Sequence, residues 1–291
     1  MRLREPGSCY PGQHWPRDCR RVSGRFGLEG RVAVVTGALG NLGPVWAEGL
    51  LEAGATVVGL DLPPATPNAA FSQLQARYGD GRLALIAASV TDRNALGAAR
   101  ERIVSEFGVP HVLVNNAGID QPPSPSGGGY RLDEIPFDVN RRIFEVNTLG
   151  LFQVAQIFGT DMVKARRGSV INIGSLYASV SPDPRFYDHI VSDPPFIKPP
   201  AYGASKAAVV NLTKYLATAW GPSGVRVNTL SPGGVLGAQD EQFKRKFCDR
   251  VPLGRMAVYE DLIGPLQFLA SDASAYVTGT ELRIDGGFTA W

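Results

Sequence analysis

The sequence lacks the features that mark secreted or membrane proteins. Its 291 residues include three cysteines, Cys9, Cys19 and Cys248, too few for the disulfide framework of a small secreted domain. No run approaches the ~18 consecutive apolar residues of a membrane span, and the N-terminus has no apolar signal-peptide core. We therefore expect a cytoplasmic protein with no membrane partner.

Positive charge is concentrated at the N-terminus. Residues 1–25 hold six arginines and two acids, and without them the net charge changes from +2 to −2. A body without a basic excess argues against nucleic acid as a partner. Because residues 1–27 are rich in Arg, Pro and Gly and have no helical period, we predict a disordered extension there. An upstream start codon read as coding and an Arg-rich targeting peptide are the alternatives.

From residue 28 onward, short apolar runs alternate with segments of helical periodicity. Buried parallel strands have such β-branched runs, and the alternation implies right-handed βαβ units. We predict an α/β fold, a single Rossmann-type doubly wound domain over 28–291 with helices flanking a seven-stranded parallel sheet. One long helix is expected over 137–166. The predicted strands are residues 31–37, 55–62, 82–90, 111–118, 168–175, 225–234 and 281–287.

A glycine-rich turn, TGALGNLG (36–43), joins the first predicted strand to the first helix. Such glycines let the backbone approach a pyrophosphate, which the helix N-terminus then binds. Asp61 ends the second strand, where a carboxylate accepts hydrogen bonds from the adenosine ribose and repels a 2′-phosphate. No Arg or Lys lies in 36–43 or 62–67, so NAD is predicted as the cofactor. The alternatives are glycines that only end a strand and an aspartate that caps a turn.

Three tyrosines lie in residues 175–206 and compete for a chemical role. A phenol with its ordinary pKa of about 10 supplies almost no phenolate at neutral pH. A lysine four residues later on a helix shares its face and brings a positive charge. Tyr202 has such a lysine, Lys206, whereas Tyr177 and Tyr187 do not. The spacing favours Tyr202, although an incidental Y-x-x-x-K pair remains an alternative.

Several motifs in series resemble the short-chain dehydrogenase/reductase family. The resemblance covers residues 28–291 and depends on the order of the motifs. They are TGALGNLG, NNAG (115–118), Asn147 in VNTLG, Ser175 in NIGS, YGASK (202–206) and NTLSPGG (228–234). The family's turn usually reads T-G-x-x-x-G-x-G, so Asn41 departs from it, but asparagine tolerates a left-handed backbone.

The resemblance implies roles for the matched residues. Tyr202 is expected to be the general acid/base on the substrate oxygen, with Lys206 lowering its pKa and binding the nicotinamide ribose. Ser175 is expected to orient that oxygen and Asn147 to hold a water in a proton relay; a strand-end serine and a polar helix residue are the alternatives. The residues expected to bind the cofactor are Gly37, Gly40, Asn41, Leu42, Gly43, Asp61, Leu62, Val90, Asn116, Ala117, Gly118, Tyr202, Lys206, Pro232, Gly233 and Val235.

Two segments are expected to shape the substrate side. The interval from Ser175 to Tyr202 is longer than is usual in the family, which predicts a substrate loop (176–201). Tyr187 lies near the usual distance from Ser175, but it has no lysine four residues later and is not expected to be the catalytic tyrosine. Polar residues in this loop favour a hydroxyl-rich or anionic substrate, the alternative being a solvated surface loop. Residues 235–256 resemble the family's lid over the site.

We therefore predict an NAD-dependent oxidoreductase that interconverts a secondary alcohol and a ketone on a sugar, sugar acid or polyol. The alternatives are a reductase of a 3-oxoacyl or other lipid-like ketone and a non-catalytic dinucleotide-binding sensor. The expected partners are a small-molecule substrate and copies of the same chain, in a homotetramer or homodimer. No metal site is predicted, because His189 has no second His or Cys near it in sequence.

Overall fold

A single parallel sheet forms the centre of the protein. The computed structural model describes residues 22–121 and 130–291. The strands are, in chain order, β1 (Val32–Thr36), β2 (Thr56–Asp61), β3 (Leu83–Ala87), β4 (Val112–Asn115), β5 (Gly168–Ile173), β6 (Val225–Pro232) and β7 (Glu281–Ile284). Their order across the sheet is β3-β2-β1-β4-β5-β6-β7, so the winding reverses between β1 and β4. Ligands of open α/β sheets bind at the carboxyl edge near such a reversal.

Helices cover both faces of the sheet. The α-helices of the described ranges are α1 (Gly43–Glu52), α2 (Ala69–Tyr78), α3 (Arg93–Phe107), α4 (Phe137–Phe144), α5 (Leu151–Ala165), α6 (Pro200–Trp220), α7 (Glu241–Arg250) and α8 (Glu260–Ala270). Apolar side chains of α1, α2 and α8 pack on one face and those of α3, α5 and α6 on the other. The prediction of a doubly wound, Rossmann-type α/β fold with a seven-stranded parallel sheet is confirmed.

The long helix expected over residues 137–166 is interrupted. Between α4 and α5, Glu145–Gly150 form a π-helical stretch, a widened turn that often marks a functional site. Asn147 lies in this stretch with 1% of its surface exposed, and its side-chain amide bonds to the backbone of Ile119 after β4. The expectation of one regular helix was wrong here, because a contact distant in sequence determines the local geometry.

Helix α8 was not expected from the sequence. Pro265 lies inside it, and an interior proline removes a backbone donor and normally breaks a helix. Leu262, Leu266 and Leu269 nevertheless repeat at helical spacing, and all three are fully buried. Burial of this apolar face outweighs the lost hydrogen bond, so tertiary packing overrides the local signal.

An aromatic cluster connects the substrate loop, helix α7 of the lid and the C-terminal residues. Phe186 of the loop lies 5.6 Å, centroid to centroid, from Phe247 of α7, which stacks at 4.9 Å on Phe288. Trp291 is 74% exposed, but its indole N–H donates to the last carbonyl of α7. The substrate loop is thus packed against the lid helix and does not project freely into solvent.

A buried polar network fixes α6 to the sheet. Asn115 on β4 donates to Asn172 on β5, which donates to the Thr213 hydroxyl on α6 at 2.8 Å. Thr229 on β6 also donates to Thr213, at 2.8 Å. Because buried polar groups are unfavourable without partners, this network specifies where α6 sits over three strands.

The N-terminal segment is described only in part. Residues 1–21 and 122–129 lie outside the described ranges, so the disorder predicted for residues 1–27 remains a prediction. Val22–Arg25 form a 3₁₀ turn before β1. Among the helices of the described ranges, none has the length and hydrophobicity that crossing a membrane demands.

Thr213→Val tests the polar network, since it removes the hydroxyl and keeps the side-chain shape. We expect a loss of about 2–4 kcal/mol, because Asn172 and Thr229 are left with unpaired buried groups. Thr160→Val, at an exposed position of α5, is the matched control and should change stability by less than about 0.5 kcal/mol. Urea unfolding measures both variants, and equal losses would contradict the network.

Candidate active site

The turn after β1 requires glycine at position 37 and is held by hydrogen bonds from the Asn116 side chain. Gly37 has a φ of +64°, and a Cβ there would lie 2.8 Å from the Ala117 Cα. Asn116 donates to the carbonyls of Thr36 and Gly37 at 3.0 and 2.9 Å and accepts from the Trp46 indole at 2.8 Å. The Asn116 side chain therefore shapes the turn, and any cofactor contact of this segment falls to its backbone.

The start of α1 is open to a ligand. Gly40 and Asn41 are exposed, and Gly43 begins the helix without a side-chain cap from Leu42. The N–H groups of Asn41 and Leu42 have no hydrogen-bond acceptor among the described residues. Free N–H groups at a helix N-terminus bind phosphate, so this turn fits the pyrophosphate of a dinucleotide.

Asp61 braces the same turn from β2. Its Oδ2 accepts from the Leu39 N–H and its Oδ1 from the Leu62 N–H, both at 2.7 Å. Each carboxylate oxygen has a second lone pair, so turn capping and binding of a ribose hydroxyl are compatible. The Leu62 side chain is 62% exposed beside it.

The other predicted cofactor residues also follow carboxyl ends of strands. Gly233 donates to the Ile284 carbonyl at 3.0 Å, and a Cβ on it would lie 2.7 Å from the Asp285 Cα. Val235 forms a parallel bridge with Ala257, which fixes the start of the lid. The structure brings seven of them to this one edge, at or after the carboxyl ends of β3, β4 and β6: Val90, Asn116, Ala117, Gly118, Pro232, Gly233 and Val235.

Asn147 connects the segment after β4 to α6. Its Oδ1 accepts from the Ile119 N–H at 2.8 Å, and its Nδ2 donates to the Ile119 carbonyl at 2.9 Å and to Ser205 Oγ at 3.2 Å. Ser205 in turn donates to the Tyr202 carbonyl at 2.7 Å. The Asn147 side chain is thus engaged within the protein, and its expected water contact remains a prediction.

The predicted Tyr202, Lys206 and Ser175 meet at the carboxyl edge of β5. Tyr202 lies in the first turn of α6 and Lys206 one turn later. The Lys206 Nζ lies 5.9 Å from the Tyr202 ring centroid and donates to the Ile173 carbonyl at 2.8 Å. Ser175, two residues beyond β5, is 8% exposed, and its side chain contacts Tyr202.

Burial dominates the electrostatics of Tyr202. Burial raises its pKa above the ordinary value, the Asp120 carboxylate raises it further, and the contact with Ser175 lowers it. The net shift is upward, so the expected lowering of this pKa by Lys206 is not what the protein alone produces. The Tyr202 hydroxyl and the Lys206 amine are both buried, and burial disfavours the charged form of each, the phenolate and the ammonium.

Lys206 responds to the same environment. It is 5% exposed, and burial lowers its pKa to about 8, with the charge of Asp120 acting in the opposite direction. An amine with this pKa exists in both protonation states near neutral pH. Lys206 can therefore gain or lose a proton at working pH beside Tyr202.

The two other tyrosines of this region lie in different surroundings. Tyr177 meets Tyr202 edge to face at 6.5 Å, while Tyr187 packs against Phe196 and Phe243 at 5.0 and 5.4 Å. Burial raises the pKa of Tyr177, and it raises the pKa of Tyr187 to about 12; the two hydroxyls share a hydrogen bond. A raised pKa is therefore common to all three tyrosines, and the lysine one helical turn away is what distinguishes Tyr202.

An ion pair beside Tyr202 was not found from the sequence. Lys198 of the substrate loop lies 2.5 Å from Asp120, which follows Gly118 by two residues. In the sequence, Lys198 is one of several polar residues of the substrate loop, and no motif includes Asp120. The sequence offers one indication of a role for Asp120, which is its position two residues after the NNAG motif. The pairing itself cannot be predicted from local patterns, because the two residues are 78 positions apart in the chain.

Comparison with known proteins identifies the family. A family model described as enoyl-(acyl carrier protein) reductase, one of the short-chain dehydrogenase models, matches residues 37–289. The chain belongs to the short-chain dehydrogenase/reductase family. The D-threitol dehydrogenase of Mycolicibacterium smegmatis is 33% identical over 273 residues, covering 91% of this chain and 95% of that protein.

Solved structures agree with the fold. A gluconate 5-dehydrogenase from Burkholderia cenocepacia, in complex with NADP and tartrate, is 31% identical with a TM-score of 0.78, over 92% of this chain and 98% of that one. A short-chain dehydrogenase from Leptospira borgpetersenii with bound NAD⁺ is 30% identical with a TM-score of 0.78, over 90% and 94%. The predicted family and the predicted oxidoreductase of secondary alcohols and ketones are confirmed, with NAD(P) as the cofactor class.

Lys206→Met tests the unfavourable burial of the ammonium in this short-chain dehydrogenase. With the folded pKa near 8 and the ordinary value 10.5, the unfolded chain binds the proton more tightly, so this group lowers stability at neutral pH and the penalty fades as pH rises toward 10.5. The variant should be inactive yet gain about 1–3 kcal/mol at pH 7. Its gain should shrink at pH 9.5.

The matched control for that variant is Lys214→Met on the exposed face of α6. It should alter stability by less than about 0.5 kcal/mol at either pH. Urea unfolding at the two pH values measures both variants. A Lys206→Met protein that is less stable than the parent at pH 7 would show that the ammonium is well accommodated.

Tyr202→Phe tests the choice among the tyrosines. Loss of a positioned acid/base should lower kcat by about 10²–10⁴-fold, while the dinucleotide still binds because the open turn at α1 is untouched. Tyr187→Phe is the control and should retain most of the turnover. Steady-state rates and dinucleotide titration measure these effects; a larger loss in Tyr187→Phe would reverse the assignment.

Proposed function

We propose that this protein is an NAD-dependent dehydrogenase that interconverts a secondary alcohol and a ketone on a sugar, sugar acid or polyol. The observation that carries the proposal is the convergence of Ser175, Tyr202 and Lys206 in a buried cluster at the same sheet edge as the open start of α1. Family membership and the D-threitol and gluconate relatives support the same reaction class.

In this proposal each side chain has a defined task. A bound nicotinamide would supply the hydride acceptor for oxidation of the alcohol carbon and the hydride donor for reduction of the ketone. Tyr202, as its phenolate, takes the hydroxyl proton in oxidation, and as the phenol it returns that proton in reduction; Ser175 orients the substrate oxygen. Lys206 holds positive charge and a transferable proton near the phenol, and Asn147 maintains the position of α6 through Ser205.

The preference for NAD depends on Asp61. Its carboxylate is held at the end of β2 by two backbone N–H groups, and at this position in the fold it would repel the 2′-phosphate of NADP. No Arg or Lys in residues 36–43 or 62–67 compensates for that charge. The bound NAD⁺ of the Leptospira structure is consistent with this choice, and the NADP of the Burkholderia structure is the alternative.

The alternatives fit the substrate side less well. A 3-oxoacyl or lipid-like ketone needs an apolar channel, yet the charged pair Asp120–Lys198 lies beside Tyr202. A non-catalytic sensor has no need of the buried Lys206, which burial makes unfavourable. The substrate loop and the lid would form the outer wall of the substrate cleft.

We further propose a homotetramer or homodimer in the cytoplasm. Exposed apolar side chains of α4, the preceding 3₁₀ turn, the π-helical stretch and α6 support self-association: Leu132, Phe137, Phe144, Leu149 and Tyr215. The low cysteine content supports a reducing compartment.

The reaction is tested by following reduction of NAD⁺ with a panel of alditols, aldonates and sugars. We expect turnover with at least one polyhydroxylated alcohol at a secondary carbon. Activity confined to 3-hydroxyacyl thioesters, or dinucleotide binding with no turnover of any alcohol, would contradict the proposal.

Asp61→Ala tests cofactor choice. Removing the carboxylate should lower the ratio of kcat/KM with NAD to that with NADP by about tenfold or more, because repulsion of the 2′-phosphate is lost. Asp61→Asn separates this charge effect from the brace of the turn, as the amide oxygen still accepts a backbone N–H. Asp80→Ala, exposed after α2, is the control; an unchanged ratio in both Asp61 variants would count against the role.

A further inference from the structure

A loop lysine adds a second positive charge to the site. The Lys198 Nζ lies 5.1 Å from the Tyr202 ring centroid and 5.6 Å from that of Tyr177. Its side chain is 8% exposed and is paired with Asp120, whose side chain is 33% exposed. The ion pair therefore lies next to the predicted acid/base, and its carboxylate half remains open to solvent.

The neighbouring charges of the substrate loop engage the lid instead. Asp188 contacts Lys246 of α7, and the His189 Nε2 lies 2.8 Å from Asp240, the N-cap of α7. These contacts hold the loop to the lid. Among the charged residues of the substrate loop, Lys198 has a described contact with Tyr202.

We infer that Asp120 and Lys198 form a binding element for substrate hydroxyl groups and make the site select neutral polyols over carboxylate-bearing sugar acids. The inference depends on the proposed function, because it refines the substrate class of that same site. It assigns a specificity role to two residues outside the Ser175, Tyr202 and Lys206 cluster.

Charge balance carries the argument. The Lys198 ammonium is already neutralised by Asp120, so a substrate carboxylate entering here must displace Asp120 or lie close to its negative charge. The first outcome costs Asp120 its ion pair, and the second places two carboxylates beside one ammonium. Because the Lys198 side chain is 8% exposed and the Asp120 side chain 33% exposed, solvent screens this cost only in part. A neutral substrate leaves the balance unchanged.

Hydrogen-bonding capacity points the same way. A carboxylate only accepts hydrogen bonds, an ammonium only donates them, and a hydroxyl does both. A polyol hydroxyl can therefore donate to Asp120 while a neighbouring hydroxyl accepts from Lys198. Adjacent hydroxyls of one substrate match this acceptor–donor pair without any change in protonation.

The test compares alditols with their aldonates at equal chain length, using threitol with threonate and galactitol with galactonate, plus the five-carbon alditols with their aldonates. Among these pairs, the alditol with the highest kcat/KM is the reference substrate. With saturating NAD⁺, the wild-type protein should have a kcat/KM for this alditol at least tenfold higher than for the aldonate of the same chain length. Asp120→Asn keeps the shape and removes the negative charge. It should raise the aldonate-to-alditol ratio by tenfold or more, mainly through KM.

Asp188→Asn is the matched control, since it removes the same charge from the loop–lid pair and should leave the ratio unchanged. Lys198→Met should raise KM for alditols tenfold or more and exclude aldonates further. The Asp120 charge also raises the pKa of Tyr202. Asp120→Asn should therefore move the rise of kcat/KM with pH to lower pH, which a merely structural role would not do.

The outcomes separate this inference from the proposed function. The inference is overturned if the wild-type enzyme prefers aldonates, or if Asp120→Asn and Asp188→Asn have the same aldonate-to-alditol ratio of kcat/KM. Either result is still compatible with the proposed function, a dehydrogenase of sugar acids or polyols. Failure to oxidise any alditol, aldonate or sugar rejects the proposed function and the inference together.

Discussion

The burial of a tyrosine and a lysine one helical turn apart is the constraint on which the rest of the site depends. Tyr202 and Lys206 both lie out of water, and desolvation opposes the charged form of each. The protein alone therefore holds a neutral phenol and an amine that titrates near neutral pH. For the proposed phenolate of Tyr202, we expect positive charge that arrives with the reactants to add to that of Lys206, which would link proton transfer to the assembled complex.

The scaffold maintains this unfavourable arrangement through polar contacts distributed over several strands. Thr213 anchors α6 to β5 and β6, and Asn147 joins α6 to the end of β4 through the π-helical stretch. Such buried networks hold a side chain in one position, because any displacement leaves several groups unpaired. The precision of the site is therefore a property of the whole sheet edge.

Local patterns in the sequence predict most of this fold and much of the site. Strand runs, the glycine turn and the Tyr202–Lys206 spacing are short-range features, and the structure brings their residues to one edge. The π-helical stretch, the aromatic packing of Phe186 and the Asp120–Lys198 pair arise from contacts between distant segments. The raised pKa of Tyr202 also escaped prediction, because desolvation depends on packing that a spacing rule does not contain.

Because proton transfer depends on the acidity of one phenol, the most direct measurement is an ultraviolet difference titration of the tyrosines with and without saturating NAD⁺. In the protein alone, we expect none of Tyr177, Tyr187 and Tyr202 to ionise below the ordinary pKa of a phenol. With NAD⁺ bound, one phenol should ionise at distinctly lower pH, and this change should be missing in Tyr202→Phe. A low-pKa tyrosine in the protein alone, or identical titrations in both states, would contradict the account.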